Sequence, residues 1–298
     1  MLALAALVLA CGGQKQTVAH SRLRVVATTG MIGDAVSVIA GDRVDLYTMM
    51  GPGVDPHLYK ATSGDIDRLH RADIVFYNGL HLEAKLSEVF HQMAAATPTV
   101  PVAESIPDSL IRRTAEFGGQ PDPHVWFDVS LWRRVVETIG RNLIGKDTAN
   151  AEFYESNMNA YLGALNSLDG WVRGEIEKIP ADQRVLVTAH DAFGYFGRAY
   201  GMEVKGLQGI STVTEAGLYD VTRMVDLLVE RQIKAVFVES SVPRKSIEAV
   251  VEGCASRGHM IQIGGQLFSD AMGAGGTEEG TYLGMVRYNV RIITAALK

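Results

Sequence analysis

Cysteine is almost missing from this 298-residue chain. Cys11 and Cys254 are the only two, and no CxxC pair occurs. That scarcity excludes both a thiolate zinc site and a disulfide framework. Positive charge is also short, with 28 Lys and Arg against 34 Asp and Glu, a net −6. Such a balance gives no electrostatic footprint for nucleic acid and is mildly favourable to cations. No apolar run is long enough to span a bilayer, which takes about 20 residues. The HExxH pattern and the nucleophile elbow are absent, as are short repeats and low-complexity segments. What is present is ordinary for a globular protein, 47% apolar and 21% charged. The length suits two domains, each large enough to bury a core of its own.

The first residues, MLALAALVLA, are apolar and stop at Cys11. They read as the apolar core of a secretory signal. Val8-Leu9-Ala10-Cys11 resembles a bacterial lipoprotein cleavage box with Cys11 as the lipidated residue, although Leu9 is large for its position and no Lys or Arg precedes the run. The polar stretch GGQKQTVAHSR then reads as a tether. Cys254 falls in a helical pattern and is most simply a small core residue.

From Arg22 the pattern alternates between strand and helix. Strands are expected at Arg22–Thr29, Val44–Met50, Ala72–Tyr77 and Thr99–Ala103, with helical spacing between them. Thr62 and Asp65, three apart ahead of an apolar-periodic run, read as a capped helix start. Ser130–Ile144 is a strongly amphipathic helix, and Thr148–Lys178 stays helical without a proline. After Pro180 the alternation resumes. Strands end at His190 and Glu239, a third covers Met260–Ile263, and helices cover Thr214–Arg231, Val242–Ser256 and Thr281–Leu297. The expectation is an α/β fold of two parallel-sheet domains joined by a long rigid backbone helix. Its divisions are 1–21 for signal and tether, 22–147, a linking helix at 148–178, and 179–298.

Asp-Pro-His occurs twice, at Asp55-Pro56-His57 and Asp122-Pro123-His124. Proline fixes its own φ and drives the preceding residue toward an extended conformation, so each imidazole is presented from a stiffened turn. Ligands of parallel α/β sheets bind beyond the carboxyl ends of the strands. His190, Glu239 and Asp270 lie at or just past such ends, and the two Asp-Pro-His loops belong to βα-type connections. His57, His124, His190 and Asp270 are therefore expected to converge in a cleft between the halves. Three imidazoles and a carboxylate suit zinc, and manganese or iron if the carboxylate binds through both oxygens. Glu239 reads either as an outer carboxylate that orients a ligand or as a helix-start acid. His81 follows a strand and is a second candidate for an outer role. His20, His70, His91 and His259 read as structural or solvated.

GPGVDPHLY, NGLHLE, DPHVWFDVSLW, VLVTAHDAFGYFGRAYG, VFVESSVP, GGQLFSDAMG and GTYLGMVRYN resemble the TroA-like metal-binding lipoproteins of bacterial ATP-binding-cassette (ABC) importers. The similarity runs from about Arg22 to the C-terminus. It implies two α/β domains on a backbone helix, with the metal between them and His57, His124, His190 and Asp270 as its ligands. Manganese-dedicated relatives commonly have Glu at the position of His190. Zinc-dedicated ones often carry a long His-rich loop where this chain has only Arg112–Gln120, without His. The chain fits neither type cleanly.

The function this implies is an extracytoplasmic solute-binding protein, periplasmic or cell-surface, anchored to the membrane through lipid at Cys11. It would be a monomer that binds one zinc, manganese or iron ion and hands it to a permease and its ATPase. Affinity should fall as pH drops through the histidine range. The alternatives are a zinc-dependent hydrolase, with His190-Asp191 as a base and its neighbour, and an adhesin for which metal is a structural staple. Four protein ligands leave little room for a reactive water, which favours binding over catalysis.

Overall fold

The computed structural model describes residues 22–113 and 118–298, so the expected signal, tether and Cys11 lie outside the described residues. In the first half, strands β1 (Leu23–Ala27), β2 (Val44–Thr48), β3 (Ile74–Tyr77) and β4 (Thr99–Pro101) form one parallel sheet in the order β2-β1-β3-β4. Helices α1 (Gly30–Ala40), α2 (Ser63–Arg71) and α3 (Ser87–Met93) connect them. The capped start read at Thr62 is a full capping box. Thr62 Oγ1 accepts from Asp65 N at 3.2 Å, and Asp65 Oδ2 accepts from Thr62 N at 2.7 Å. Tyr59, two residues beyond His57, donates to the same Asp65 at 2.7 Å. The helix expected from Leu82 starts regularly only at Ser87. Glu83 is drawn inward to accept from Thr28 Oγ1 and from the backbone N–H groups of Asn78 and Gly79, which delays the first turn.

Helix α4 (Val129–Lys146) leads through a short turn into α5 (Ala151–Ile176), the expected spine. Its 26 residues extend about 39 Å at 1.5 Å per residue. Tyr154, Tyr161, Leu165, Leu168, Val172 and Ile176 make one buried stripe along it, at the spacing a single helix face requires. In the second half, β5 (Val185–His190) pairs in parallel with β6 (Glu203–Gln208), and β7 (Ala235–Glu239) with β8 (Gln262–Leu267). Strand β5 also lies alongside β7. Helices α6 (Gly194–Tyr200), α7 (Leu218–Glu230), α8 (Lys245–Ser256) and α9 (Tyr282–Leu297) complete it.

Two elements, α6 and β6, are absent from the sequence reading. Seven and six residues long, they carry too short a period to stand out, and Gly206 interrupts the strand pattern. Strand β8 runs further than expected, through Gly264-Gly265, with a register shift opposite Val236 and Phe237. Side chains there would strike α9, because a Cβ on Gly264 would lie 2.7 Å from Ala296 and one on Gly265 2.6 Å from Ile292.

The expectation of a separate core for each half needs correction. The largest apolar cluster is continuous, from Phe76 and Trp132 through Leu165 of the spine to Phe193, Phe237 and Tyr282. Smaller clusters lie within each half, around Leu69 and Phe90 and around Leu228 and the fully buried Cys254. Tyr161 of the spine donates to Asp34 Oδ2, and the same oxygen accepts from Tyr282 N at the start of α9, tying three helices together. Separating the halves would expose this shared core and lose burial worth many kcal/mol.

Candidate metal centre

His57 stands in the loop between β2 and α2. Asp55 Oδ1 accepts from the His57 backbone N–H at 2.8 Å, an aspartate turn that closes over Pro56. The second triplet repeats the device, with Asp122 Oδ1 accepting from His124 N at 3.0 Å. His190 is the last residue of β5, and Asp270 follows the end of β8. These strand ends and the two loops meet between the halves. Ligand atoms of His57, His124, His190 and Asp270 all lie within 4.8 Å of one another, and all four residues are buried.

Four pairs stand about one coordination edge apart. His124 Nε2 is 3.4 Å from both His57 Nε2 and His190 Nε2. Asp270 Oδ1 is 3.3 Å from His124 Nε2, and Oδ2 is 3.3 Å from His190 Nε2. A tetrahedron with zinc-to-ligand bonds of ~2.0–2.1 Å has edges of about 3.3–3.4 Å. Both oxygens of Asp270 face the imidazoles, so the carboxylate can bind through one or both, which suits zinc and manganese alike. Among the described residues, no well-aligned hydrogen bond reaches Asp270 Oδ1. A buried carboxylate oxygen facing imidazole nitrogens is a site for a cation.

Outer carboxylates set the rings. Asp122 Oδ1 lies 2.7 Å from His124 Nδ1, and Glu239 Oε2 lies 2.6 Å from His190 Nδ1. The first is a hydrogen bond and the second a close charge contact without hydrogen-bond alignment, and both turn the Nε2 atoms toward the common centre. Glu239 Oε1 also accepts from the His190 backbone N–H at 2.8 Å. Glu239 thus contacts both the backbone and the ring of His190. Arg112 bridges Asp122 and Asp191 at 2.6 and 2.8 Å and holds the Asp122 carboxylate in place. Trp126 presents its ring edge-on to His124 and donates from Nε1 to Ser269 O in the opposite half.

Charge completes the picture. Burial by itself would lower the pKa of His124, but the carboxylates of Asp122 and Asp270 outweigh it and hold the imidazole up to about 9. His190 is also held well above the ordinary imidazole value, because Glu239 and Asp270 overcome its desolvation. Burial pushes His57 down to about 3. Burial would raise Asp270, yet the imidazoles of His190 and His124 keep it well below the usual carboxylate range. The metal-free centre thus stores protons on His124 and His190, where a divalent ion would otherwise stand.

His81 does not join the cluster. The turn Gly79-Leu80-His81 has positive φ at every residue, 80°, 52° and 66°, and leaves His81 exposed. It lines a separate surface depression with His91 and Glu104. The sequence reading missed the roles of Asp55, Asp122 and Arg112. An aspartate two residues before each histidine was a usable signal for the aspartate turns. Nothing local marks Arg112, whose partners are distant in sequence.

Comparisons with known proteins identify relatives along nearly the whole described chain. Residues 25–296 match the family model for the periplasmic zinc-uptake complex component A, ZnuA. The zinc-binding protein TroA of Treponema pallidum (strain Nichols) is 50% identical over 287 residues, covering 96% of this chain and 92% of that protein. Its solved structure has a TM-score of 0.91, with 49% identity, and the match covers 93% of this chain and 99% of the other. The manganese-binding lipoprotein MntA of Bacillus subtilis (strain 168) is 52% identical over 280 residues, covering 94% and 91%. The manganese ABC transporter substrate-binding lipoprotein PsaA of Streptococcus anginosus is 31% identical over 302 residues, covering 99% and 96%.

Proposed function

The chain belongs to the family of the periplasmic zinc-uptake component A, and on that premise we propose that it is the extracytoplasmic solute-binding protein of an ABC importer. It captures a divalent transition metal between its two halves and delivers it to a membrane permease with its ATPase. The observation that carries this is the closed set of His57, His124, His190 and Asp270, whose ligand atoms all lie within 4.8 Å of one another, with four of the pairs at 3.3–3.4 Å. All four are buried to at least 97%. A hydrolase would need an open coordination position for water, and a shell that is already four-membered and enclosed favours carriage over catalysis.

Zinc and manganese are both cargo for this shell. Zinc binds the more tightly, since a site with three nitrogens follows the ordinary ranking of divalent metals. Residues 22–147 and 179–298 act as two lobes on the linking helix, and the shared core keeps their motion small. Release then needs only the loss of one or two ligands, without wide opening. Residues 1–21 serve as signal and tether, and lipid on Cys11 anchors a monomer to the membrane. Among the described residues, no helix is long and apolar enough to cross a membrane.

The test is elemental analysis of the purified protein, followed by competitive titration of the metal-free form with zinc and manganese. One metal per chain is expected, with zinc displacing manganese. His190→Ala should weaken zinc at least 100-fold, as loss of a direct ligand exceeds the roughly 10–100-fold cost of losing an outer partner. A protein that takes up no metal, or whose binding ignores His190, would defeat the assignment.

A further inference from the structure

His57 differs from the other two histidines of the cluster. Asp122 and Glu239 grip the rings of His124 and His190, whereas among the described residues no carboxylate bonds to the ring of His57. His57 is held through its backbone, by Asp55 Oδ1. The second oxygen of Asp55 accepts from Thr212 Oγ1 at 2.6 Å, across the boundary between the halves. Thr212 belongs to the loop between β6 and α7. That loop is rooted on the His190 side, because Gly209 O accepts from Asp191 N at 3.2 Å. The four residues Gly209–Thr212 thus link the end of the His190 strand to the turn that carries His57.

This contact stands alone on its flank. Apart from the His190–His124 contact in the site itself, the other side-chain hydrogen bonds between the halves run from Arg112 to Asp191 and, by its backbone N–H, to Tyr195, from Tyr195 to Asp122, from Trp126 to Ser269, and from Tyr282 to Trp126 and, by its backbone N–H, to Asp34. Those engage Asp34 and residues 112–126. Among the described residues, Thr212 to Asp55 is the one side-chain hydrogen bond from the second half to residues 51–60. Thr212 is 7% exposed and its neighbour Val213 60% exposed, so the bond sits at the outer edge of the cleft.

We propose that Thr212 is a positioning residue that latches the metal site closed, holding His57 in the shell by way of Asp55. The proposal rests on the metal-capture function above. With the latch made, both bonds to Asp55 keep the aspartate turn in one geometry and His57 Nε2 on the metal. With it broken, His57 is the ligand that leaves first. The rate of metal escape is therefore set at this hydrogen bond, while the remaining three ligands stay assembled on the opposite flank.

The experiment uses the full chain loaded with zinc, mixed rapidly with excess chelator, and reads the rate of zinc loss. Thr212→Val removes the hydroxyl and keeps the branched shape. It should release zinc about tenfold faster, the factor an ordinary buried hydrogen bond is worth. Thr212→Ser keeps the hydroxyl and should stay within about twofold of the parent. The metal-free unfolding temperature should fall by only a few degrees in Thr212→Val and hardly at all in Thr212→Ser, so both variants stay folded. Asp55→Ala should also speed release, and adding Thr212→Val to it should give no further change, because the two residues act as one unit. Release from Thr212→Val within about twofold of a slow parent would overturn the latch and leave the capture function standing. Further acceleration on the Asp55→Ala background would likewise overturn it. A parent protein that holds no zinc would bring down the capture function and the latch together.

Discussion

Loading zinc into the metal-free protein should expel about two protons near neutral pH. At about pH 7.5, His124 lies below its pKa of about 9 and carries a proton. His190, held well above the ordinary value, carries one too. His57, pushed down to about 3, does not. A divalent ion needs the Nε2 lone pair of all three rings, so both protons must go. Two positive charges leave and two arrive, which spares the buried acids an unpaired state. Each displaced proton contributes about tenfold per pH unit, so apparent affinity should fall roughly 100-fold for each unit lost below about pH 8. As pH rises through about 9, His124 gives up its proton unaided and the dependence flattens. Calorimetric titration of zinc in buffers of different ionisation enthalpy counts the protons directly. An ordinary imidazole site would release almost none above about pH 7.5. Release of well under one proton at that pH, or flat affinity between about pH 6 and 8, would refute the reasoning.

Three further outcomes follow from the same geometry. Glu239→Gln removes the carboxylate 2.6 Å from His190 Nδ1 and should weaken zinc about 10–100-fold, read by competition with a chromophoric chelator; unchanged affinity would reduce Glu239 to a backbone cap. Gly206→Ala would put a Cβ 2.4 Å from Asp191 N and 2.6 Å from the His190 carbonyl carbon. It should cost about 1–3 kcal/mol in thermal or urea unfolding and weaken zinc by displacing His190, whereas Gly145→Ala, with open space around it, should do neither. The metal-free protein should lose stability in alkali. His124 has a folded pKa of about 9, above its unfolded value, so its contribution of about 3 kcal/mol is whole below about pH 6.5 and lost as pH rises through about 9. His57 works in the opposite sense. Its folded pKa of about 3 means that unfolding takes up a proton below about pH 6.5, which destabilises the acid side. Melting curves of metal-free and zinc-loaded protein at about pH 7 and 10 test this, and parallel behaviour of the two forms would count against it.

Much of this protein is written in local pattern. The strands ending at His190 and Glu239, the proline-free run of α5, the capping box of Thr62 and Asp65, and both Asp-Pro-His turns depend on residues a few positions apart. Period, propensity and side-chain-to-backbone bonding act over that range, so they can be read along the chain. The strand-end rule then carried four side chains to one place without any knowledge of their contacts. The remaining features depend on partners the chain brings together from far apart. Thr212 meets Asp55 across 157 residues, and Tyr282 meets Asp34 across 248. The pKa of His124 depends first on its neighbour Asp122 and then also on the distant Asp270. The exposed position of His81 follows from a left-handed turn that no local pattern marked. The core shared between the halves is of the same kind, because each helix shows an apolar face but not which surface will cover it. Local sequence specifies which side chains can bind a metal. Packing places Nε2 and carboxylate oxygens about one coordination edge apart and sets which imidazoles hold a proton until the metal arrives.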